Sequence, residues 1–256
     1  MSEPSYRLLA LHGFLGRASD WTSVAGSFPD ATIEAIDLWA MLAQPGADDW
    51  ASSSAALDRR LAAACGGGED VPAFVLAYSF GARLALSSAL LASSASPVCG
   101  TCFVSCHPGL ADGDVASRDA RRASDDAWAQ RLLTSPEQDI WREWDAQSVF
   151  SGGSAPSRTE GLPASRASLA RALRVCSLAG QPDGRARLCE WRHPVLWVTG
   201  ARDAKFVAIA DLLRASRIPI EFETCQDAGH RVPWDNPSAF ARAVRSWIVR
   251  VMERQT

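Results

Sequence analysis

Six short apolar runs, separated by stretches with helical spacing, constrain this chain more than any other feature. The runs are YRLLAL (Tyr6–Leu11), TIEAID (Thr32–Asp37), AFVLAY (Ala73–Tyr78), PVCGTCFVS (Pro97–Ser105), PVLWVTG (Pro194–Gly200) and IPIEFETC (Ile218–Cys225). Helices are expected over Asp20–Phe28, Trp50–Cys65, Phe80–Ala92, Phe206–Ala215 and Pro237–Met252. Strands that alternate with helices of this length build a parallel sheet with helices on both faces. The fold class is therefore α/β.

One stretch breaks the rhythm. Residues 108–184 carry no strand signal, and ASDDAWAQRLL and QDIWREWDAQSVF have amphipathic helical spacing. Within it, SGGSAPSRTEGLPAS (Ser151–Ser165) reads as a loop. A helical insertion between two strands is expected to cap the C-terminal edge of the sheet, where open α/β sheets bind ligands. The domain expectation is a single unit, 1–256, with a core of 1–107 and 185–256 and a helical cap of 108–184.

Composition excludes several function classes. The formal net charge is −3 and no block of like charge stands out, so neither nucleic acid nor an anionic membrane surface is an expected partner. No apolar run is long enough to span a bilayer, and MSEPSYRLLALHG lacks the basic start and apolar core of a signal peptide. Seven cysteines, an odd number, then read as free thiols of a cytoplasmic protein. Nothing here fixes the oligomeric state, monomer or small homo-oligomer. Cys99, Cys102, Cys106 and His107 invite a zinc reading, but two of the thiols lie along one buried strand, which suits tetrahedral ligation badly. No metal is expected.

AFVLAYSFGARLAL carries the chemistry. A strand runs into Ser79, Gly81 follows, and a helix starts at once. This is the outline of a nucleophile elbow, in the pentad Ala77-Tyr78-Ser79-Phe80-Gly81 with alanine at the usual first glycine. The plainer alternative is a turn serine capping a helix. A hydroxyl needs a base, and of His12, His107, His193 and His230 only His230 lies between the last strand and the last helix. The imidazole needs an orienting carboxylate. Asp203, just past a strand end, fits; Asp227 is the alternative, close to His230 in sequence. The order Ser79, Asp203, His230 is that of α/β hydrolases. An oxyanion hole would use the backbone N–H groups of Phe80 and of Phe14, in LHGFLG. His12 is expected to shape that loop, His107 to line the site, and His193 to be a surface or capping group.

Seven segments carry a resemblance. LHGFLGRASDW, LAYSFGARLAL, HPGLADGD with RRASDDAWAQRLL, WDAQSVF, SLAGQPD, GARDAKF and AGHRVPWDNP resemble, in order and spacing, the 2-succinyl-6-hydroxy-2,4-cyclohexadiene-1-carboxylate synthases of menaquinone biosynthesis. These are lyases of the α/β-hydrolase fold. The resemblance runs from about Leu8 to Phe240. It implies expulsion of pyruvate from an anionic enolpyruvyl cyclohexene, with Ser79, activated by His230 and Asp203, acting as a base. No cofactor is implied. It assigns Tyr78, Arg83, Arg121, Trp144 and Lys205 to substrate binding, with Arg158 or Arg166 as a further cap arginine. Arg83, four residues after Ser79, also reads directly as a cation able to reach the pocket, and guanidinium forks suit carboxylates. The sequence departs from the family at Ala77, Ala82 and RVPWDNP, where substrate identity is least constrained. The competing reading is a serine hydrolase, an esterase or carbon–carbon bond hydrolase, acting on a carboxylate-bearing substrate through a covalent Ser79 intermediate.

Overall fold

A computed structural model describes residues 5–66, 71–153 and 160–254. Its six strands are β1 (Tyr6–Leu11), β2 (Ala31–Ile36), β3 (Ala73–Tyr78), β4 (Gly100–Val104), β5 (Val195–Gly200) and β6 (Glu221–Cys225). They pair in parallel throughout, in the order β2-β1-β3-β4-β5-β6. β1 and β3 match the expected runs residue for residue. β4 and β6 start three residues later than the runs beginning at Pro97 and Ile218. Pro97 and Pro219 lack the N–H that a ladder needs.

The helices in chain order are α1 (Thr22–Ala25), α2 (Leu38–Leu42), α3 (Trp50–Cys65), α4 (Phe80–Leu86), α5 (Ala89–Ala92), α6 (Val115–Thr134), α7 (Glu137–Asp145), α8 (Arg166–Val175), α9 (Arg185–Glu190), α10 (Ala204–Ala215), α11 (Val232–Asp235) and α12 (Pro237–Glu253). Two short 3-10 turns, Ala18–Trp21 and Ser148–Phe150, complete the set.

Side chains alternate between the two faces of a strand, so each central strand feeds two cores. Leu9, Leu11, Val75, Ala77, Phe103 and Trp197 join one core, with α3, α4, α8 and α10. Leu8, Ala10, Phe74, Leu76, Val104 and Val198 join the other, beneath α12. α12 buries Phe240, Val244, Trp247, Ile248 and Val251, one face at helical spacing. Asn236 caps it by accepting from the Ala239 N–H, and Pro237 sits at its first position, where no N–H is needed. The Cys102 thiol lies in the α12 core and the Cys106 thiol in the opposite one; Cys106 comes after β4 has ended, beyond the turn at Ser105.

Two local differences from expectation have clear causes. The helix expected over Phe80–Ala92 divides at Ser87–Ser88. Ser88 turns extended, caps α5 at the Leu91 N–H and bonds Asp58 instead of continuing the helix. Asp37, read as a strand end, is the cap of α2 and accepts from the Trp39 and Ala40 N–H groups. Between β4 and β5 the described residues hold α6 to α9 and no strand. None of the described helices is long and apolar enough to cross a membrane.

Candidate active site

β3 delivers Ser79 onto a sharp turn, with φ at 49°, in the left-handed region that ordinary residues avoid. The turn is tight because α4 passes directly over the end of β1. A Cβ at Gly81 would come within 2.7 Å of the His12 carbonyl oxygen, so only glycine fits there. Ala77 and Ala82 are wholly buried, which explains small residues at both positions.

His230 arrives from the loop after β6. Its Nε2 lies 3.1 Å from Ser79 Oγ, and its Nδ1 lies 2.7 Å from Asp203 Oδ2. Asp203 leaves the end of β5 and also caps α10 at the Phe206 N–H. A carboxylate at Nδ1 fixes the proton there and leaves the Nε2 lone pair facing the serine hydroxyl. Burial holds the His230 pKa below the ordinary imidazole value, against the hydrogen bond it donates to Asp203, which raises it. The ring is therefore neutral at pH 7 and able to accept a proton. Asp227 turns away and pairs with Arg202 at 2.6 Å. Ser105, also at positive φ, donates its hydroxyl to the His230 carbonyl at 2.8 Å and pins that loop from below.

The loop after β1 carries Phe14. His12 is fully buried; its Nε2 accepts from the Leu38 N–H at 3.1 Å, which leaves Nδ1 to donate to the Gly13 carbonyl at 2.9 Å. Nδ1 thus fixes the carbonyl of the peptide that precedes Phe14, and Nε2 ties the ring to Leu38. Trp39 adds a bond from its indole N–H to the Gly16 carbonyl at 2.7 Å. Phe14 and Phe80 both line the pocket, with their rings edge to face 5.7 Å apart.

That pocket, about 460 Å³, is bounded by Ser79, His230, Phe14 and Phe80 below and by Trp144, the Gln147–Ser151 segment, Leu173 and Leu178 above. Arg83, Arg121, Arg202 and Lys205 line it; Asp203 is the one carboxylate lining it among the described residues. Arg83 donates to the Gln181 side-chain oxygen at 3.4 Å and the Cys176 carbonyl at 3.2 Å, and it lies over the Trp50 and Phe80 rings. Among the described residues it meets only neutral acceptors. Burial, and secondarily the Arg121 charge, pull its pKa down to about 10. Arg121 is held at 2.9 Å by buried Asp125, which also accepts from the Ser177 hydroxyl at 2.7 Å. Burial and Arg121 likewise pull the Lys205 pKa down. His107, which lines the pocket as expected, is pushed down to about 3 by burial and by Lys205, Arg83 and Arg121. Trp144 stands between Phe14 and Trp128, at 5.1 and 5.0 Å.

Three expectations are corrected. Tyr78 does not line the pocket; its ring packs behind His230 and Trp234, at 5.7 and 4.9 Å, and against Gly13, where a Cβ would meet it at 2.6 Å. Arg166 turns to the end of α6, donating to the Leu132 and Ser135 carbonyls at 2.9 and 2.6 Å. Arg158 lies outside the described residues. His193 is half-buried rather than a surface group; it accepts from the Trp191 indole at 2.8 Å, bonds the Thr101 hydroxyl, and burial pushes it down to about 4. Sequence reasoning did not single out Ser105, Arg202 or Phe150. Only the AQSVF pattern pointed toward the last.

The α/β hydrolase family model matches residues 8–243. A 2-succinyl-6-hydroxy-2,4-cyclohexadiene-1-carboxylate synthase of Klebsiella pneumoniae is 34% identical over 247 residues, 93% of this chain and 92% of that protein. The synthase of the same name from Escherichia coli O7:K1 is 33% identical over 242 residues, 90% of this chain and 89% of that protein. MenH from S. aureus superposes with a TM-score of 0.82 at 24% identity, covering 98% of this chain and 96% of that one. A thermophilic esterase from Thermogutta terrifontis superposes at 0.66 with 19% identity, covering 98% and 92%. The two structures share the fold, and the sequences carry the relationship further: the chain belongs to the α/β hydrolase family and, within it, to the 2-succinyl-6-hydroxy-2,4-cyclohexadiene-1-carboxylate synthases.

Proposed function

We propose that the protein is a lyase that eliminates pyruvate from 2-succinyl-5-enolpyruvyl-6-hydroxy-3-cyclohexene-1-carboxylate. The observation that carries this reading is the pairing of a hydrogen-bonded Ser79–His230–Asp203 relay with Arg83, a pocket cation that meets only neutral acceptors among the described residues. A half-buried cation that hydrogen-bonds no carboxylate among the described residues favours an anionic ligand. The relatives' names supply which anion. The α6–α9 insertion is the cap of this site, and Arg83, Arg121 and Lys205 supply the cations for the substrate carboxylates, with Trp144 against the ring.

The elimination balances without a cofactor. His230 takes the Ser79 hydroxyl proton, and the serine oxygen removes the ring proton beside the succinyl ketone. The electron pair forms a new ring double bond, the existing one shifts along the ring, and the bond to the enolpyruvyl oxygen breaks. The leaving enolate takes up one proton and becomes pyruvate. While the ring proton is leaving, negative charge gathers on the ketone oxygen. The Phe14 and Phe80 N–H groups are the donors that would receive it. No acyl-enzyme forms. The reaction needs no membrane, and we place it in the cytoplasm.

The test is pyruvate release from the substrate made in situ by the preceding enzyme. Wild type is expected to release pyruvate well above background, and Ser79→Ala to lose the acceleration. No acceleration by wild type, together with turnover of p-nitrophenyl esters, would instead assign a serine hydrolase.

A further inference from the structure

Arg231 follows His230 directly, and the elimination gives it no role. Its side chain is 8% exposed and pairs with Asp145, 17% exposed, at the C-terminal end of α7. The guanidinium carbon lies 3.9 Å from the centre of the Phe150 ring. Phe150 in turn stands edge-on to the His230 imidazole, centroids 5.5 Å apart, and 6.3 Å from Trp144. Beside this cluster the two chain segments touch backbone to backbone: a Cβ on Gly229 would lie 2.7 Å from the Gly152 carbonyl carbon. The histidine loop and the roof of the pocket thus meet along one seam, with Arg231 at its centre.

A buried ion pair supplies little net stability, because both charges lose their water; its better-attested use is to fix one arrangement over another. A planar guanidinium is suited to both halves of that task, since it pairs with a carboxylate in its plane and stacks on a ring with its face. We infer that Arg231 is a positioning residue: paired with Asp145 and stacked on Phe150, it fastens the roof to the histidine loop and sets where Trp144 and Phe150 stand over the substrate. The roof cannot lift at this seam without separating the charges. The kinetic consequence rests on the lyase reading above; the fastening itself does not.

The experiment compares wild type with Arg231→Gln, Asp145→Asn, the double variant and Arg231→Lys, in pyruvate release and in amide hydrogen exchange over 137–150 and 229–231. Each single neutral variant is expected to raise KM about ten-fold with kcat reduced less than about three-fold. The double variant is expected to be no worse than the worse single, since the two residues act as one unit. Arg231→Lys, which keeps the charge but loses the planar fork and the stack on Phe150, is expected to raise KM by an intermediate amount, about three- to five-fold. Both segments lose exchange protection together in either single variant. Losses that add in the double variant overturn the inference. So does a lower Tm with unchanged KM and unchanged exchange over 137–150, the signature of a merely structural pair. If wild type releases no pyruvate, the functional reading fails alone, and exchange still decides: joint loss of protection supports the fastening and unchanged protection overturns it.

Discussion

All six side chains of β3, beneath the pocket, are buried, whereas the twenty residues of α6, above it, bury only Asp125, Ala129 and Leu132. To the apolar face of α8, which buries Leu169, Ala170, Ala172 and Leu173, the roof adds arginines that reach backbone carbonyls. Arg118 donates to the Leu110, Ala179 and Gln181 carbonyls, Arg166 to those of Leu132 and Ser135, and Arg171 to those of Leu42 and Ala47. Apolar burial is large and non-directional, so it fixes the sheet and everything on its strand ends. Hydrogen bonds between charged forks and carbonyls are directional and smaller in net effect. The lower half thus sets where the reacting groups stand, and the upper half sets what they meet. Changes below are expected to abolish turnover or folding, and changes above to move KM.

The largest separation of the two halves comes from Ser79→Ala. Pyruvate release is expected to fall by about 10³-fold or more with Tm unchanged, because the change removes one hydroxyl and no packing. A loss below ten-fold would mean that His230 takes the ring proton without the serine. Next in size is Trp247→Ala on α12. Trp247 is wholly buried and stands where a Cβ on Gly100 would meet it at 2.7 Å. Truncation is expected to cost about 3–5 kcal/mol in chemical denaturation, with KM of the folded fraction unchanged. A shifted KM would show that the α12 core reaches the pocket and would blur the division.

Two arginines of the same pocket sharpen the contrast, because Arg83 reaches from α4 below to Gln181 and Cys176 of the roof, whereas Arg121 belongs to α6 above. Arg83→Met removes a cation that meets no carboxylate among the described residues. KM is expected to rise about 100-fold while stability holds or improves. Arg121→Met leaves buried Asp125 with the Ser177 hydroxyl. Stability is expected to fall by on the order of 1 kcal/mol, discounted because Arg121 is one-third exposed, along with a KM effect. Equal stability changes in the two variants would contradict the assignment of Asp125 as the partner of Arg121.

The same division explains what the sequence made legible. Strand positions, the elbow and the triad follow from local rules: an apolar run, a tight turn with Gly81, and a cap at Asp203 that lies just past a strand end. Those rules reach along a few residues, and they hold where burial enforces them. Tyr78 shows where they stop. Its place next to Ser79 suggested a substrate contact, but alternation along β3 sends its ring to the α12 side, behind His230. The destinations of Arg166 and Arg231 depend on the distant partners Leu132 and Asp145, and no spacing announces such partners. His193 was misplaced for the same reason, since Trp191 is near in sequence but Thr101 comes from another strand.

His107 and His193 give the smallest and finest test of the comparison. His107 lines the pocket beside its cations, and His193 lies away from it, against Thr101 and Trp191. Both are neutral in the folded protein, pushed down to about 3 and about 4 from an ordinary value near 6.5. The unfolded chain therefore binds protons that the folded one refuses. Stability carried by these neutral rings is intact above pH 6.5, and it is lost as pH falls from about 6.5 toward the folded values of about 4 and about 3. The causes differ, however. His193 is lowered by burial alone, whereas His107 also feels Lys205, Arg83 and Arg121. Nuclear magnetic resonance titration of the imidazoles distinguishes them. Arg83→Met is expected to move the His107 titration upward and leave His193 in place. Raising the salt concentration is expected to do the same on a smaller scale, because partly buried charges are screened only in part. Equal movement of both rings would mean that Arg83→Met loosens the fold as a whole. No movement of His107 would mean that the cations above the serine do not set its field, and the positive pocket would then lose its main electrostatic support.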